Sequence, residues 1–304
     1  MVNVYRPDSL EQVLDKLAVG EHTVFAGGTD LMVRHAVRAG MTSRFNHDVV
    51  FVDAIDELKH IMVSEYFTDS QSTMALHAGK ALFIGAGVVL ADLEHHPLVP
   101  DVLQQSVAGI AAPALRNRAT LAGNICNASP AADSLPALYL LNARVILSSI
   151  RGQRDIPLAE FIQAPGLTSL MPDEMLSHIV IPCTDLPVTF YHKVGTRAAN
   201  ALAKLSVAGL AKVSKTQESK AVIADWRVAF GAVGPTVIRS AELESMVVGQ
   251  RLEVLAKPAF LAQVTDCYRE IIRPIDDQRS TANYRYQVSL NLLRRWLCDI
   301  SAQG

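Results

Sequence analysis

Eighteen residues near the middle of the chain, Arg116-Asn117-Arg118-Ala119-Thr120-Leu121-Ala122-Gly123-Asn124-Ile125-Cys126-Asn127-Ala128-Ser129-Pro130-Ala131-Ala132-Asp133, constrain its fold more than any other stretch. Small residues, amide side chains and a carboxylate are packed together where a backbone could lie against a phosphate-bearing ligand. A second such segment, Phe25-Ala26-Gly27-Gly28-Thr29-Asp30-Leu31, sits about ninety residues upstream. Consecutive glycines let main-chain N–H groups approach phosphate oxygens with no Cβ in the way. Each bend alone also suits a plain strand–turn–helix link or a surface loop held by Asx and Ser/Thr turns. Together they imply one extended ligand gripped from two sides, which points to a dinucleotide.

Composition narrows the class further. At 304 residues, two domains are the default expectation. Half the residues are hydrophobic and 19% are charged, which supplies packed cores and argues against disorder. The mean hydropathy of +0.21 is high, yet no run of about eighteen uninterrupted apolar residues exists. We therefore expect large cores or a buried subunit interface, and no membrane span. A net charge of −2 gives no reason to expect nucleic acid. The first residues lack the apolar core of a signal peptide, so a cytoplasmic protein is expected. Cys126, Cys183, Cys267 and Cys298 are far apart and form no C-x-x-C pair, so neither zinc nor an iron–sulfur cluster is expected within the chain.

Periodicity predicts a helix over Ser9–Leu17, with Leu10, Val13, Leu14 and Leu17 on one face. Ser9 and Gln12 form a capping-box pattern at its start. A strand at Thr23–Ala26 should run into Gly27-Gly28, followed by a helix over Asp30–Ala39 that Gly40 ends. Further strands are expected at Val49–Val52 and around Ala81–Ile84. Helices are expected at Ala91–His95 and Asp101–Ala108, with Pro97 and Pro100 breaking between them. Asp133 suits the N-cap of a helix over Ser134–Leu141. Ala199–Ser214 is too densely apolar to separate strand from helix, and Trp226–Val233 alternates as a strand does. Ala282–Leu297 reads as an amphipathic helix with Tyr286, Leu290, Leu293 and Leu297 along one stripe. Prolines at 182 and 187 bracket a polar step that marks a domain boundary.

A Rossmann site is the obvious rival for a dinucleotide. Its best candidate, Gly85-Ala86-Gly87-Val88-Val89-Leu90, has leucine where the third glycine belongs, and that glycine permits close helix–strand packing. The rival is rejected. His95-His96 reads as a solvated turn, His35 as an exposed helix residue, and Cys126 as a small packing residue with nothing beside it to lower its pKa.

At the two bends the chain resembles the FAD-binding, medium subunit of molybdenum hydroxylases, the xanthine dehydrogenase and carbon monoxide dehydrogenase family. The family pattern is an early A-G-G-T-D-L and a later R-N-x-A-T-x-G-G-N-I-x-N-A-S-P-x-x-D. The similarity also takes in Tyr5-Arg6-Pro7-Asp8-Ser9-Leu10, Phe51-Val52-Asp53, Ile84-Gly85-Ala86, Pro172-Asp173-Glu174-Met175-Leu176, Tyr191-His192-Lys193-Val194-Gly195 and Tyr284-Arg285. It implies an α+β fold: a two-lobed FAD-binding domain of the vanillyl-alcohol-oxidase (PCMH) type over residues 1–182, with lobes of approximately 1–57 and 58–182. A small C-terminal α/β domain with a three-stranded sheet would follow over 187–304. By the same resemblance, Phe25, Ala26, Gly27, Gly28, Thr29, Asp30 and Leu31, with Thr120, Ala122, Gly123 and Asn124, would hold the diphosphate and nearby ribityl chain. Asp133, Leu176 and Lys193 fall on positions that contact FAD in relatives. Ile110 falls where a relative places an apolar or aromatic side chain against the cofactor. Ala122 departs from the pattern by replacing the first glycine of G-G-N, and a left-handed backbone there would carry about 1 kcal/mol of strain.

The implied activity is that of an oxidoreductase subunit. Substrate, with purines a first guess, would be oxidised at a molybdopterin centre on a large partner subunit. Electrons would cross [2Fe-2S] clusters on an iron–sulfur subunit, reach FAD on this chain, and leave to NAD⁺ or another acceptor. The flavin would carry the chemistry, so no side chain is assigned as acid, base, nucleophile or metal ligand. A self-contained flavin oxidoreductase and a scaffold subunit that has lost its flavin remain as alternatives.

Overall fold

The computed structural model describes residues 2–35, 45–66, 79–197, 200–215 and 220–302. The chain divides into two compact units, each assembled from separate segments. The first holds residues 1–99, 112–128 and 142–183, and the second holds 100–111, 129–141 and 184–304. Two short stretches of the N-terminal half, 100–111 and 129–141, thus cluster with the C-terminal part.

The first unit opens with β1 (Val4–Tyr5), α1 (Leu10–Ala18), β2 (His22–Phe25), α2 (Leu31–Arg34) and β3 (Asp48–Phe51). Ser9 caps α1 as expected by accepting from the Gln12 amide. The Gln12 side chain, however, bonds Asp8 rather than closing the box on Ser9. Val13 and Leu17 carry the buried face of α1. The three strands form one parallel sheet in the order β1-β3-β2. The remainder of the expected helix, residues 36–39, and Gly40 that was to end it lie outside the described residues.

A second sheet in the same unit is antiparallel, and supplies the other lobe. After a 3-10 turn at Asp56–Lys59 come β4 (Ile61–Tyr66) and β5 (Gly79–Gly85), then α3 (Leu90–Leu93). The chain then makes α4 (Asp101–Ala108), α5 (Pro113–Arg116), α6 (Leu121–Cys126) and α7 (Ser134–Leu140). It continues with β6 (Arg144–Ser149), β7 (Gly152–Pro157), α8 (Leu158–Phe161), a hairpin of β8 (Ile162–Ala164) and β9 (Leu167–Thr168), and β10 (Met175–Pro182). The sheet order is β4-β5-β10-β6-β7. Tyr66 on one edge nevertheless donates its hydroxyl to Asp155 on the other, beside the buried Arg144. A flat sheet would separate those edges by about 19 Å at the usual strand spacing, so this sheet is strongly coiled.

The second unit is built on β11 (Val188–Val194), β12 (Leu205–Lys215) and β13 (Ala221–Gly231), an antiparallel sheet in that order. Around it lie α9 (Ala241–Ser245), α10 (Leu252–Leu255), α11 (Pro258–Arg269) and α12 (Ala282–Ser301). β12 is the central strand and most of its residues are buried regardless of which face they occupy. A strand covered on both faces has no polar alternation, and this explains the absent period in its sequence. On α12, Leu290, Leu293 and Leu297 of the expected stripe are fully in the core, with Tyr286 packed at its margin. Trp296, also on α12, stacks on Phe190 and leaves no room for a side chain at Gly209.

Segment 129–141 is tied into this unit mainly by its backbone. Pro130 accepts from the Ala232 amide (2.9 Å). At the C-terminal end of α7, the Tyr139 and Leu140 carbonyls accept from Arg239 and Arg227, at 2.5 and 2.8 Å. Those arginines are charge-balanced by Glu244 and Asp225. Free carbonyls at a buried helix end require such donors.

Candidate cofactor site

In the first unit the two bends meet. The first leaves β2 at Phe25, whose ring stacks on Phe51, and turns at Gly28 with φ +71°. A side chain at Gly28 would lie 3.0 Å or less from three atoms of the Phe25 ring. At Gly27 a Cβ would overlap the Arg118 carbonyl oxygen, with the carbonyl carbon at 2.7 Å and Ala119 Cα at 3.0 Å. Glycine at 27 is thus required by a backbone from the second bend, and glycine at 28 by its own φ. Ala26, Thr29, Asp30 and Leu31 complete this bend. Asp30 pairs with Arg34 (3.4 Å), and Arg34 also donates to the side chain and carbonyl of Asn127. Sequence reasoning did not single out Arg34, although its i+4 spacing from Asp30 is a helix pairing signal.

The second bend is equally anchored. Arg116 is buried and paired with Glu94 (3.0 Å), while Arg118 is exposed. The Ala119 carbonyl accepts from the Leu90 amide (2.8 Å), and Thr120 bridges Val89. Thr120, which the resemblance places at the diphosphate, uses its hydroxyl to cap α6 by accepting from the Gly123 amide (3.0 Å). Ala122, Gly123 and Asn124 follow within the helix. Ala122 therefore has helical backbone, and the strain considered for a left-handed residue does not arise. The left-handed alanine of this loop is instead Ala128, at φ +46°. Burial pushes the Cys126 thiol up to about 12. α6 packs on β10, the strand that carries buried Leu176. Just before β10, Glu174 is fixed by two 2.7 Å bonds from Arg154.

In the second unit, three other predicted residues come together. Lys193 on β11 donates to Asp133 Oδ2 (2.7 Å) and to the Gly109 carbonyl (2.8 Å). Gly109 precedes Ile110. Tyr191, two residues before Lys193 and so on the same strand face, donates to the main-chain carbonyl of Asp133 (3.4 Å). Asp133 occupies the N-cap position of α7 but makes no side-chain cap bond, because its carboxylate is turned to Lys193. Its Oδ1 is buried with no hydrogen-bond partner. Burial holds the Asp133 carboxyl above its ordinary value, although Lys193 acts against that shift. Burial likewise keeps the Tyr191 phenol protonated. Lys193 is thus a partly buried partner in an ion pair, unlike the surface lysine that position would suggest by itself.

His95 lies 4.0 Å from Glu94, the partner of Arg116, and no group of three metal-capable side chains occurs among the described residues. No helix among them is long and apolar enough to cross a membrane.

A main-chain cradle and a buried carboxylate short of a donor have the form expected of an α+β protein that holds a nucleotide cofactor. Residues 1–184 match the family model for the FAD binding domain in molybdopterin dehydrogenase, and residues 190–300 match the CO dehydrogenase flavoprotein C-terminal domain. The chain belongs to that family of molybdopterin dehydrogenase FAD-binding proteins. It is 25% identical to the nicotinate dehydrogenase FAD-subunit of Eubacterium barkeri, over 92% of this chain and 88% of the relative. It is 28% identical to the glyceraldehyde dehydrogenase medium chain of Sulfolobus acidocaldarius, over 75% and 80%. Among solved structures, quinoline 2-oxidoreductase from Pseudomonas putida 86 aligns with a TM-score of 0.82 and 21% identity, covering 100% of this chain and 98% of that one. The fold expectation is met, including the three-stranded sheet of the C-terminal part. The chain is an oxidoreductase subunit with FAD as its cofactor.

Proposed function

We propose that this chain is the electron-relay subunit of a molybdenum hydroxylase, passing electrons from [2Fe-2S] clusters on an iron–sulfur partner through FAD to NAD⁺ or another acceptor. Substrate oxidation would occur at molybdopterin on a large partner, with the assembly in the cytoplasm. The observation that carries this reading is the fit of Gly27 against the Arg118–Ala119 backbone, which brings the two bends together main chain to main chain.

The residues present suit FAD. Phe25, Ala26, Gly27, Gly28, Thr29, Asp30 and Leu31 would hold the diphosphate together with Thr120, Ala122, Gly123 and Asn124. The orphaned Asp133 Oδ1 needs a donor, which a flavin nucleotide carries in its hydroxyls and ring N–H. Leu176, Ile110 and the Lys193 neighbourhood would meet other parts of the cofactor. When bound, the flavin takes electrons singly and gives them up in pairs, the exchange that such a relay requires. The chain's own task is to bind, orient and partly desolvate it. Residues 1–182 and 187–304 would act as the two domains. The names of relatives span nicotinate, glyceraldehyde and quinoline, so purines become one substrate class among several.

Expression of the chain with the proteins encoded beside it tests this. An isolated complex holding flavin, iron–sulfur and molybdopterin signals supports the relay. A chain that binds FAD and turns over alone would replace it with the self-contained oxidase. A chain without flavin bands that takes up no added FAD would leave only a scaffold role.

A further inference from the structure

The two bends touch at two places, and the second contact is made by a side chain. At the first, Gly27 lies against the Arg118 carbonyl and the Ala119 Cα. At the second, Arg34 donates through Nη2 to the Asn127 side-chain oxygen and to the Asn127 carbonyl (3.4 Å). From Gly27 to Arg34 the chain advances seven residues, and from Ala119 to Asn127 it advances eight, so the two stretches run in the same direction and nearly in step. Residues 28–31 and 120–124 lie between the two contacts in sequence. Arg34 and Asn127 are thus the far clasp of a cradle whose near end is glycine against backbone.

Each side of the clasp is supported. The Met32 amide returns to the Gly28 carbonyl (2.9 Å) and the Arg34 amide to the Asp30 carbonyl (3.0 Å), which carries α2 directly out of the first bend. His35 then rests on Phe45, which meets the Phe25 ring edge-on. Asn127 closes α6 as its C-cap, and Ala128 after it is left-handed. A guanidinium suits that place, because carbonyls at a helix end lack partners and carry partial negative charge. Arg34 has a second duty. Its Nε lies 3.4 Å from the carboxylate of Asp30, a negative charge within the bend assigned to diphosphate. Left unpaired, that carboxylate would repel phosphate. One planar group therefore meets Asn127 with Nη2 and Asp30 with Nε, an arrangement that the compact ammonium of a lysine does not match.

We propose that Arg34 is a positioning residue for the cofactor: by clasping Asn127 and cancelling the charge of Asp30, it keeps the far end of the two bends together around the diphosphate. This rests on the reading above that the two bends hold FAD. The Arg34 and Asp30 side chains are 54% and 58% exposed, and an ion pair so open to water adds little to folding stability. The effect of Arg34 should therefore appear in cofactor retention and not in unfolding.

The test is a double-mutant cycle on the full-length chain stripped of flavin, with FAD affinity and release followed by flavin fluorescence. Arg34→Met should weaken binding about tenfold, the size of one charge-assisted hydrogen bond, mainly through faster release. Asn127→Ala should give a smaller loss of the same kind, because its carbonyl remains. The double variant should be no weaker than Arg34→Met alone, since both changes open one contact. Arg34→Lys, which keeps a positive charge beside Asp30, should recover part of the affinity. The urea midpoint of the flavin-free chain should stay near the native value in Arg34→Met. Losses that multiply in the double variant would overturn the proposal by showing that the two residues act separately. Native affinity in Arg34→Met would overturn it too, with FAD binding by the chain intact. So would a fall in the urea midpoint or an outright failure to fold, either of which would make Arg34 a structural residue. A native chain that takes up no FAD would instead remove the cofactor reading.

Discussion

The two clusters of candidate cofactor residues are made of different material. In the N-terminal unit, Gly27 meets Arg118 and Ala119 backbone to backbone, and few side chains intervene. In the second unit, Asp133, Lys193 and Tyr191 meet through charged and phenolic groups, all largely withdrawn from water. A main-chain cradle tolerates only glycine where chains cross, so its requirement is steric and local. An ion pair tolerates no loss of either partner, so its requirement is electrostatic and depends on the whole fold. The second should therefore be the more fragile to substitution, and burial of its Asp133 carboxyl makes it sensitive to pH.

Lys193→Met gives the largest expected effect. It leaves the Asp133 carboxylate buried without its cation, which typically costs about 3–5 kcal/mol. The carboxyl already sits above its ordinary value of 3.8 because of burial, and loss of Lys193 raises it further. The folded state then keeps the proton at pH values where the unfolded chain has released it. Protonation therefore stabilises the variant below 3.8, and that contribution is lost as pH rises through the folded-state value. Urea unfolding at several pH values should show the gap between variant and native protein widening from acid to neutral pH. An equal gap throughout would mean that Asp133 is not the group left exposed to the loss.

Gly27→Ala comes next. Its methyl has nowhere to go except into the Arg118 carbonyl, and overpacking of that kind costs about 1–3 kcal/mol. FAD uptake should fall sharply because the bends must separate. Gly20→Ala is the control, since it lies outside both bends and its Cβ would meet only the His22 ring at 3.9 Å. Equal FAD affinity in the two variants, measured by titration, would break the claim that backbone contact makes the cradle.

The same contrast explains what the sequence disclosed. Glycine pairs, the Thr120–Asn124 run and the α12 stripe are written in adjacent residues, and local sterics fix their meaning. The node around Lys193 joins residues 60 and 84 positions apart, and no spacing rule encodes such pairs. Without a family likeness, Lys193 would have passed for a surface lysine. Prolines mark a break near residue 182, but composition cannot reveal that 100–111 and 129–141 cluster with the C-terminal unit. Those segments are held there by Lys193, Tyr191, Arg227 and Arg239, whose partners only the fold brings near. The ambiguity at 199–214 has a different origin, since burial of both faces of β12 erased its period.

The smallest effect tests the cradle from inside. Restoring the family's glycine, Ala122→Gly, would relieve strain if position 122 were left-handed. It is helical, so glycine there should cost roughly 0.5–1 kcal/mol through lost helix propensity. Ala128→Gly should behave differently. Its φ of +46° gives glycine a backbone advantage of about 1–2 kcal/mol. That gain is offset by glycine's greater chain entropy and by about 0.8 kcal/mol for a buried methyl, and the net change should be near zero. Urea midpoints at equal m-values should therefore separate the two alanines, with 122 destabilised and 128 close to native. The reverse order would mean that the left-handed turn lies at the start of α6, and that the main chain facing the first bend is arranged differently from the contact that Gly27 makes.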